Sequence, residues 1–128
     1  MSFSYELDPG QRLARLRMAD TVGDGHGWDA MREMFSHPDF GPGYSLLADV
    51  RDVERLTASE RDLHTLAAHA KAMQTSLKLV RIALLTTPHS HVSTIAERYI
   101  ALRAHTPYTM RVFHCAHEAE AFLRGEAE

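Results

Sequence analysis

The first eighteen residues alternate between apolar and polar side chains, which is the pattern of strands with one buried face. The alternation runs through residues 3–7 and again through residues 14–18, on either side of Asp8-Pro9-Gly10. Proline presets φ and glycine accepts positive φ, so this tripeptide predicts a turn. We therefore expect an opening antiparallel hairpin. A short helix over residues 13–18 is the alternative, because two leucines there lie three residues apart.

Helical and extended patterns alternate along the rest of the chain. Four segments repeat apolar residues at the helical spacing, and between them lie three short apolar runs typical of covered strands. The predicted helices span Trp28–Phe35, Leu63–Met73, Ile95–Leu102 and Ala119–Leu123. The predicted strands are Tyr44–Ala48, closing on Asp49, then Leu79–Leu85 and Met110–His114, with Pro107 after the third helix.

Strands that alternate with helices are usually parallel and joined by right-handed crossovers. The predicted fold class is therefore α/β. We expect a mixed β-sheet of about five strands, with an opening antiparallel hairpin, later parallel strands and about four packed α-helices. A length of 128 residues fits one domain, which we place over residues 1–128.

Composition narrows the classes of partner. The net charge is -3 and both signs are interspersed, so no basic stripe favours nucleic acid. No apolar run reaches the length of a membrane span, and the first residues lack the features of a signal peptide. A single cysteine, Cys115, excludes an internal disulfide. These features predict a cytoplasmic protein without a transmembrane segment.

The order of these motifs resembles the SpoIIAA-like proteins, a group of small bacterial proteins related to STAS domains and to a class of lipid carriers. Four stretches carry the resemblance across nearly the whole chain. They are Leu16-Arg17-Met18, Leu46–Asp49 with Arg51-Asp52, Arg81–Leu85, and Arg111–Phe113 with Glu118–Leu123. The resemblance implies a mixed sheet with helices packed on it, and it implies no single activity.

Classical STAS members similar to SpoIIAA are switched by phosphorylation of a serine that opens the helix after the first crossover strand. The corresponding stretch here, Asp49–Thr57, lacks that serine and is acidic. Thr57 and Ser59 are the hydroxyls nearest to that place, and they are the candidate phosphorylation sites. However, Thr57-Ala58-Ser59-Glu60 has the form of a capping box, which predicts Thr57 as the N-cap of the second helix.

Ligands of open α/β sheets bind beyond the carboxyl ends of the strands. Three segments follow predicted strands and carry polar side chains, namely residues 49–52, 86–91 and 114–117. Together they could surround one cleft with carboxylate, guanidinium, hydroxyl and imidazole groups. The candidate ligand-binding residues are Asp49, Arg51, Asp52, Thr87, His89, His91 and His114. The alternative is that they are ordinary polar loop residues.

Two further patterns are typical of a metal site and of a catalytic nucleophile. His89 and His91 could share a metal ion only if Asp49 or His114 supplied a third ligand, and nine histidines make such a pair common by chance. Cys115 lies beside His114, as an activated nucleophile would, but we expect it to pack as a small apolar residue at a strand end. The sequence therefore predicts no metal site, no catalytic residue and no cofactor.

The leading hypothesis is a non-enzymatic regulatory or interaction module similar to STAS domains, which binds a protein, or a small ligand at the strand-end cleft, and can associate with a second copy of itself. The alternative is a small-molecule or lipid-binding protein, or an enzyme that uses Asp49, Arg51, His89 and His114. An apolar pocket between sheet and helices would favour the alternative. A filled core with a flat apolar patch would favour the interaction module.

Overall fold

A computed structural model describes residues 1–103 and 109–126 of the chain. The five strands are β1 (Ser2–Asp8), β2 (Leu13–Val22), β3 (Ser45–Leu56), β4 (Arg81–Leu85) and β5 (Thr109–Phe113). The four helices are α1 (His26–Phe35), α2 (Glu60–Leu77), α3 (His91–Leu102) and α4 (Ala116–Leu123). Pro107, predicted to follow the third helix, lies outside the described residues.

The strands form one mixed sheet in the order β1-β2-β3-β4-β5. β1 and β2 pair antiparallel, and every later pair is parallel. The hairpin prediction is confirmed, and the helical alternative for residues 13–18 is wrong. The Gln11 amide donates to both the carbonyl and the carboxylate of Asp8, at 3.2 Å each, which closes the predicted turn.

The two faces of the sheet are covered differently. On one face α1, α2 and α3 cover a cluster that includes Leu16, Leu46 and Ile82. On the other face, as far as the described residues show, α4 is the one helix that packs on a smaller cluster around Leu85 and Phe113. The pleat sends successive side chains to opposite faces, which is why neighbouring residues of one strand join different clusters.

α4 is also tied to the sheet by charge. Arg15 of β2 donates from Nε and Nη2 to the two carboxylate oxygens of Glu120, at 3.0 and 2.9 Å. This paired geometry holds α4 beside β2 as well as above β4 and β5.

The third strand is longer than predicted. The sequence pattern closed it on Asp49, but β3 continues to Leu56 because β2 runs beside it as far as Val22. β3 pairs with β4 only up to Asp49. The extension escaped prediction because register shifts along β2–β3 break the two-residue period. Asp20, with φ of +66°, lies at one of these irregularities.

The start of the second helix is shifted as well. The N-cap is Ser59 and not Thr57, since the Ser59 hydroxyl accepts from the Asp62 amide at 3.1 Å. Thr57 instead continues the strand pairing, and its amide donates to the Val22 carbonyl at 2.9 Å. Within the described residues, no helix is long and apolar enough to cross a membrane.

Candidate functional site

A cavity of about 150 Å³ lies between the sheet and the three helices on its α1–α3 face. Its walls are almost entirely aliphatic and aromatic. The sheet contributes Leu16, Met18, Ala48, Val50 and Leu84, and the helices contribute Met31, Leu63, Leu66, Val92, Ile95, Ala96 and Tyr99. Asp62 is the charged residue among the described lining residues. The site is therefore suited to an apolar group.

The floor of the cavity is not close-packed. Ala48 and Leu84 lie on the central strands β3 and β4 beneath the helices, yet each keeps accessible surface. Their neighbours on the opposite face, Leu47 and Leu85, are buried, and Leu85 is 1% exposed. Interiors are normally packed at crystal-like density, so accessible side chains on central strands mark real internal space.

A second hollow of about 50 Å³ continues beneath the other half of α2. It shares Leu16, Met31, Ala48, Leu84 and Tyr99 with the larger cavity. The two hollows together follow α2 along the sheet, which makes α2 the roof of the site.

The cavity lies at the carboxyl ends of parallel strands. Its lining includes Val22 and Leu56, the last residues of β2 and β3, and residues of the first turns of α1, α2 and α3. This is the edge where open α/β sheets bind ligands, so the predicted edge of the sheet contains a pocket. None of the seven candidate residues named from the sequence is among its described lining residues.

The N-terminal end of α2 is held by polar contacts with the loop before α1. Asp24 accepts from the Ser59 amide at 2.7 Å and from its hydroxyl at 3.1 Å. The Gly25 amide donates to Asp62 at 2.8 Å. We call these four residues the clasp. The clasp fixes the roof at the mouth of the cavity without apolar burial.

The sides of α2 are also held by specific contacts. Trp28 of α1 stacks on His69, with ring centroids 4.3 Å apart. From α3, Arg98 Nε donates to Glu60 at 3.0 Å, and this hydrogen bond lowers the pKa of the Glu60 carboxyl. Of the eighteen residues of α2, only Leu63 and Leu77 are buried. The roof is thus fastened at its rim and lightly packed over the sheet.

Tyr99 connects the cavity to a buried arginine. Burial raises the pKa of the Tyr99 phenol, and the nearby Arg103 charge and hydrogen bond offset this only in part. Arg103, 5% exposed, also donates from Nη1 to the Ala67 carbonyl of α2 at 2.9 Å. Tyr99 therefore stays neutral at physiological pH, and Arg103 links α3 to the roof.

Comparison with solved structures identifies the fold of this chain. An uncharacterised protein of the DUF3478 family from Shewanella loihica PV-4, described as having a SpoIIAA-like fold, superposes with a TM-score of 0.60. The alignment covers 94% of this chain and 93% of that one, at 14% sequence identity. This chain has a SpoIIAA-like fold. The resemblance predicted from the sequence motifs is confirmed at the level of fold. No family model matches the sequence, and no curated protein is significantly similar to it.

In this SpoIIAA-like fold, the predicted charged residues of β3 face away from the cavity. Ala48 and Val50 line the cavity, so Asp49 and Arg51 point to the opposite face. Arg51 Nη2 donates to Asp49 Oδ2 at 2.9 Å, and Arg17 pairs with Asp52. Burial alone would raise the pKa of the Asp49 carboxyl, but the hydrogen bonds and charge of Arg51 outweigh it and lower that pKa.

The predicted histidines are divided between different contacts. The His91 ring accepts from the Leu56 amide at 3.2 Å, which places it at the rim of the cavity. His114 Nε2 lies 3.3 Å from the Ser93 hydroxyl. Thr87 and His89 are exposed in the turn before α3. Of the seven predicted ligand-binding residues, His91 contacts a residue that lines the cavity, and none of the seven is itself among the described lining residues.

Cys115 does not pack as predicted. It is exposed at the N-cap of α4, so the expectation of a small buried residue at a strand end is wrong. Among residues 1–103 and 109–126, no three histidine, cysteine, aspartate or glutamate side chains are placed to hold a metal ion.

The clasp bears on the two candidate phosphorylation sites. Thr57 is exposed and serves no cap, whereas the Ser59 hydroxyl contacts Asp24 and caps α2. A phosphate on Ser59 would lie against the Asp24 carboxylate, which contacts the Ser59 hydroxyl, and would be repelled. The geometry therefore disfavours a phosphate at Ser59.

We expect Ser59→Asp to lower the free energy of unfolding by about 1 kcal/mol, because the new carboxylate faces Asp24. Ser59→Asn is the matched control, since it keeps the capping oxygen without the charge. Urea unfolding of both variants measures the difference, which should shrink in high salt. Equal stability of the two variants would contradict this account of the clasp.

Proposed function

We propose that this protein binds a small apolar or amphipathic molecule in the cavity beneath α2, and that it does so without catalysis. The observation that carries the proposal is the accessible apolar floor formed by Ala48, Val50 and Leu84. A filled core would have favoured a module that acts through its surface alone. A hollow at the carboxyl edge of the strands favours the ligand-binding alternative.

The volume of the cavity limits the ligand. An engineered cavity of about 150 Å³ in another protein takes up benzene, so a ligand portion of roughly six to ten non-hydrogen atoms fits here. The apolar lining favours an aromatic ring or a short alkyl chain. Asp62 offers one polar contact at the rim, next to its hydrogen bond from Gly25. A longer lipid chain would need the second hollow and a displacement of α2.

The absence of an assembled reaction centre among the described lining residues supports a binding role. Asp62 is engaged in the clasp, and Tyr99 is kept neutral by its raised pKa. We propose further that occupancy regulates a protein contact in the cytoplasm, because a ligand beneath α2 would alter how firmly the roof is held.

Toluene and octanoate are suitable probes of the cavity. We expect toluene to shift the methyl resonances of Leu63, Leu66 and Ile95 in NMR spectra and to leave those of Leu47 and Leu85 unchanged. Both leucines of the second group lie on the α4 face. Octanoate tests whether a polar head at the rim is accepted.

A filled cavity provides the control. Ala96→Leu adds atoms to the cavity wall and should abolish the toluene shifts while keeping or raising the melting temperature. Ala101→Leu adds the same atoms at an exposed position of the same helix and should bind toluene normally. The proposal fails if neither probe shifts the cavity methyls, or if Ala96→Leu binds toluene like the native chain.

A further inference from the structure

One carboxylate lies in the otherwise apolar wall of the cavity. Asp62, in the first turn of α2, lines the cavity together with Leu63 and Leu66. It comes one helical turn before Leu66, so the two side chains lie on the same side of the helix. A ligand that packs against Leu66 therefore extends towards Asp62, which lies at the mouth.

The protein itself uses one oxygen of this carboxylate. Asp62 Oδ1 accepts from the Gly25 amide at 2.8 Å, whereas no side-chain or backbone donor within residues 1–103 and 109–126 contacts Oδ2. The Asp62 side chain is half-buried. The bond from Gly25 fixes the carboxylate in place, so its second oxygen is a preorganised acceptor for a ligand.

Two imidazoles lie near the mouth, and neither supplies a positive charge. His26 Nδ1 accepts from the Gly23 amide at 2.9 Å, and His91 Nε2 accepts from the Leu56 amide at 3.2 Å. A ring nitrogen that accepts a hydrogen bond carries no proton, so in this arrangement both rings are neutral. Gly23 and Leu56 line the cavity, which places these neutral rings at its rim.

The other charged groups around α2 leave the mouth negative. Asp24 adds a second carboxylate at the clasp. Arg98 is paired with Glu60. Arg61 is exposed and Arg103 is buried behind the cavity wall, and neither is among the described lining residues.

The ends of the helices do not reverse this charge. The N-terminal turns of α1, α2 and α3 contribute to the lining, and each helix end carries a positive partial charge of about half an elementary charge. At α2 and α3, serine hydroxyls already accept from the amides of Asp62 and Ser93. The full charge of the Asp62 carboxylate therefore dominates beside the end of α2, and a cationic group is favoured there over an anionic one.

We propose that the cavity selects a small primary amine, whose protonated amino group binds Asp62 and whose aromatic ring or short alkyl chain fills the apolar space. The inference rests on the ligand site proposed above and narrows its chemical class. An alkylamine is protonated near neutral pH, as the lysine side chain is. A spacer of about two or three bonds carries the ring from Asp62 past Leu63 to Leu66, a distance of about 5.4 Å along the helix. A carboxylate in the same position would be repelled by Asp62.

Three probes with a common phenyl ring and different polar groups test this class. Phenethylamine is cationic, phenethyl alcohol is neutral and phenylacetate is anionic. Titrations followed by the methyl resonances of Leu63, Leu66 and Ile95 give the three dissociation constants. We expect the amine to bind about threefold more tightly than the alcohol and about tenfold more tightly than phenylacetate. This preference should shrink in high salt, because Asp62 is half-buried and not fully enclosed.

Asp62→Asn tests the role of the carboxylate. Asparagine keeps an Oδ1 acceptor for the Gly25 amide and removes the charge, so the amine should lose most of its advantage over the alcohol. Glu97→Gln is the matched control, since it removes the same charge from an exposed position of α3 outside the described lining and should keep the native preference. Circular dichroism confirms that each variant is folded, and the salt dependence of the native chain tests the same charge without a substitution.

Failure of the amine class can be distinguished from failure of the ligand site. If phenethyl alcohol shifts the cavity methyls and the amine binds no better, or if phenylacetate binds as tightly as the amine, the amine class is wrong and the apolar site stands. The class is also wrong if Asp62→Asn keeps the native preference as Glu97→Gln does. If no probe shifts these methyls, toluene included, both proposals are overturned.

Discussion

Leu85→Ala is expected to lower the free energy of unfolding by about 2–5 kcal/mol, while Leu84→Ala, one residue earlier on β4, costs roughly 1 kcal/mol. Leu85 is 1% exposed and packs between the sheet and α4 with Phe113 and Phe122. Its removal leaves a new void. Leu84 already borders the cavity, so its removal only enlarges existing space and deletes fewer contacts.

Urea unfolding of the two variants measures this difference directly. The slope of the unfolding free energy against urea should be unchanged, because both variants expose nearly the same surface when they unfold. Equal losses of several kcal/mol would mean that Leu84 is as well packed as Leu85. In that event the internal space beneath α2 would be filled in solution, and the proposed ligand site would lose its basis.

The second large effect is expected at Arg103. Arg103→Met should lower the free energy of unfolding by about 1.5–3 kcal/mol, because a buried guanidinium that donates to the Ala67 carbonyl is lost. Methionine keeps much of the aliphatic volume, so the loss reports the polar contacts more than the packing. Since these contacts link α3 to α2, the roof should also open more readily.

Hydrogen exchange can follow the opening of the roof. We expect the amides of α2 to exchange faster in Arg103→Met, while those of β4 exchange at rates that reflect only the change in global stability. Arg98→Met is the comparison variant on the same helix. It removes a contact to the same roof, but an exposed one, between Arg98 and Glu60, so it should change stability little and speed exchange in α2 far less than Arg103→Met does. Uniform acceleration across the sheet and α2 in Arg103→Met would show that this residue does not act on the roof in particular.

The architecture could be predicted because it depends on patterns that repeat locally. Alternation through residues 3–7 and 14–18 around Pro9-Gly10 is enough to define the hairpin. The helical stripes alternate with short apolar strands, and right-handed crossovers then leave few arrangements of a parallel sheet. Each of these features involves residues close together in the chain, so its physical cause is visible in the sequence.

The extension of β3 could not be predicted for the opposite reason. Val50, Val53 and Leu56 follow one another at intervals of three residues. This spacing does not match the two-residue period of a regular strand, and it is explained only by the irregular pairing of β3 with β2. The N-cap was misplaced by two residues because both Thr57 and Ser59 can cap. The choice was decided by Asp24, thirty-five residues away in sequence, which positions Ser59.

A cavity lies at the carboxyl edge of the sheet, where the sequence predicted a site, but none of the seven residues named from the sequence is among its described lining residues. Sequence reasoning favours polar residues, because their chemistry can be recognised from the residue type. The cavity instead arises where small side chains leave space between the sheet and the helices. A usable indication was present in the small residues Ala48, Ala58 and Ala96, which all line the cavity. Whether an alanine faces a void or a large neighbour depends on distant parts of the chain, so the sequence alone did not reveal the space.

β2 and β3 extend beyond the last residue that pairs with β4, and this overhang affects how the ligand preference of such a protein can change in evolution. β3 continues for seven residues past Asp49, its last pairing with β4, which is roughly 23 Å of strand. The walls contributed by this overhang are separate from the packed layer between the sheet and α4. Substitutions there could reshape the chamber while the layer that sustains folding stays the same, so selectivity and stability can change independently in this architecture.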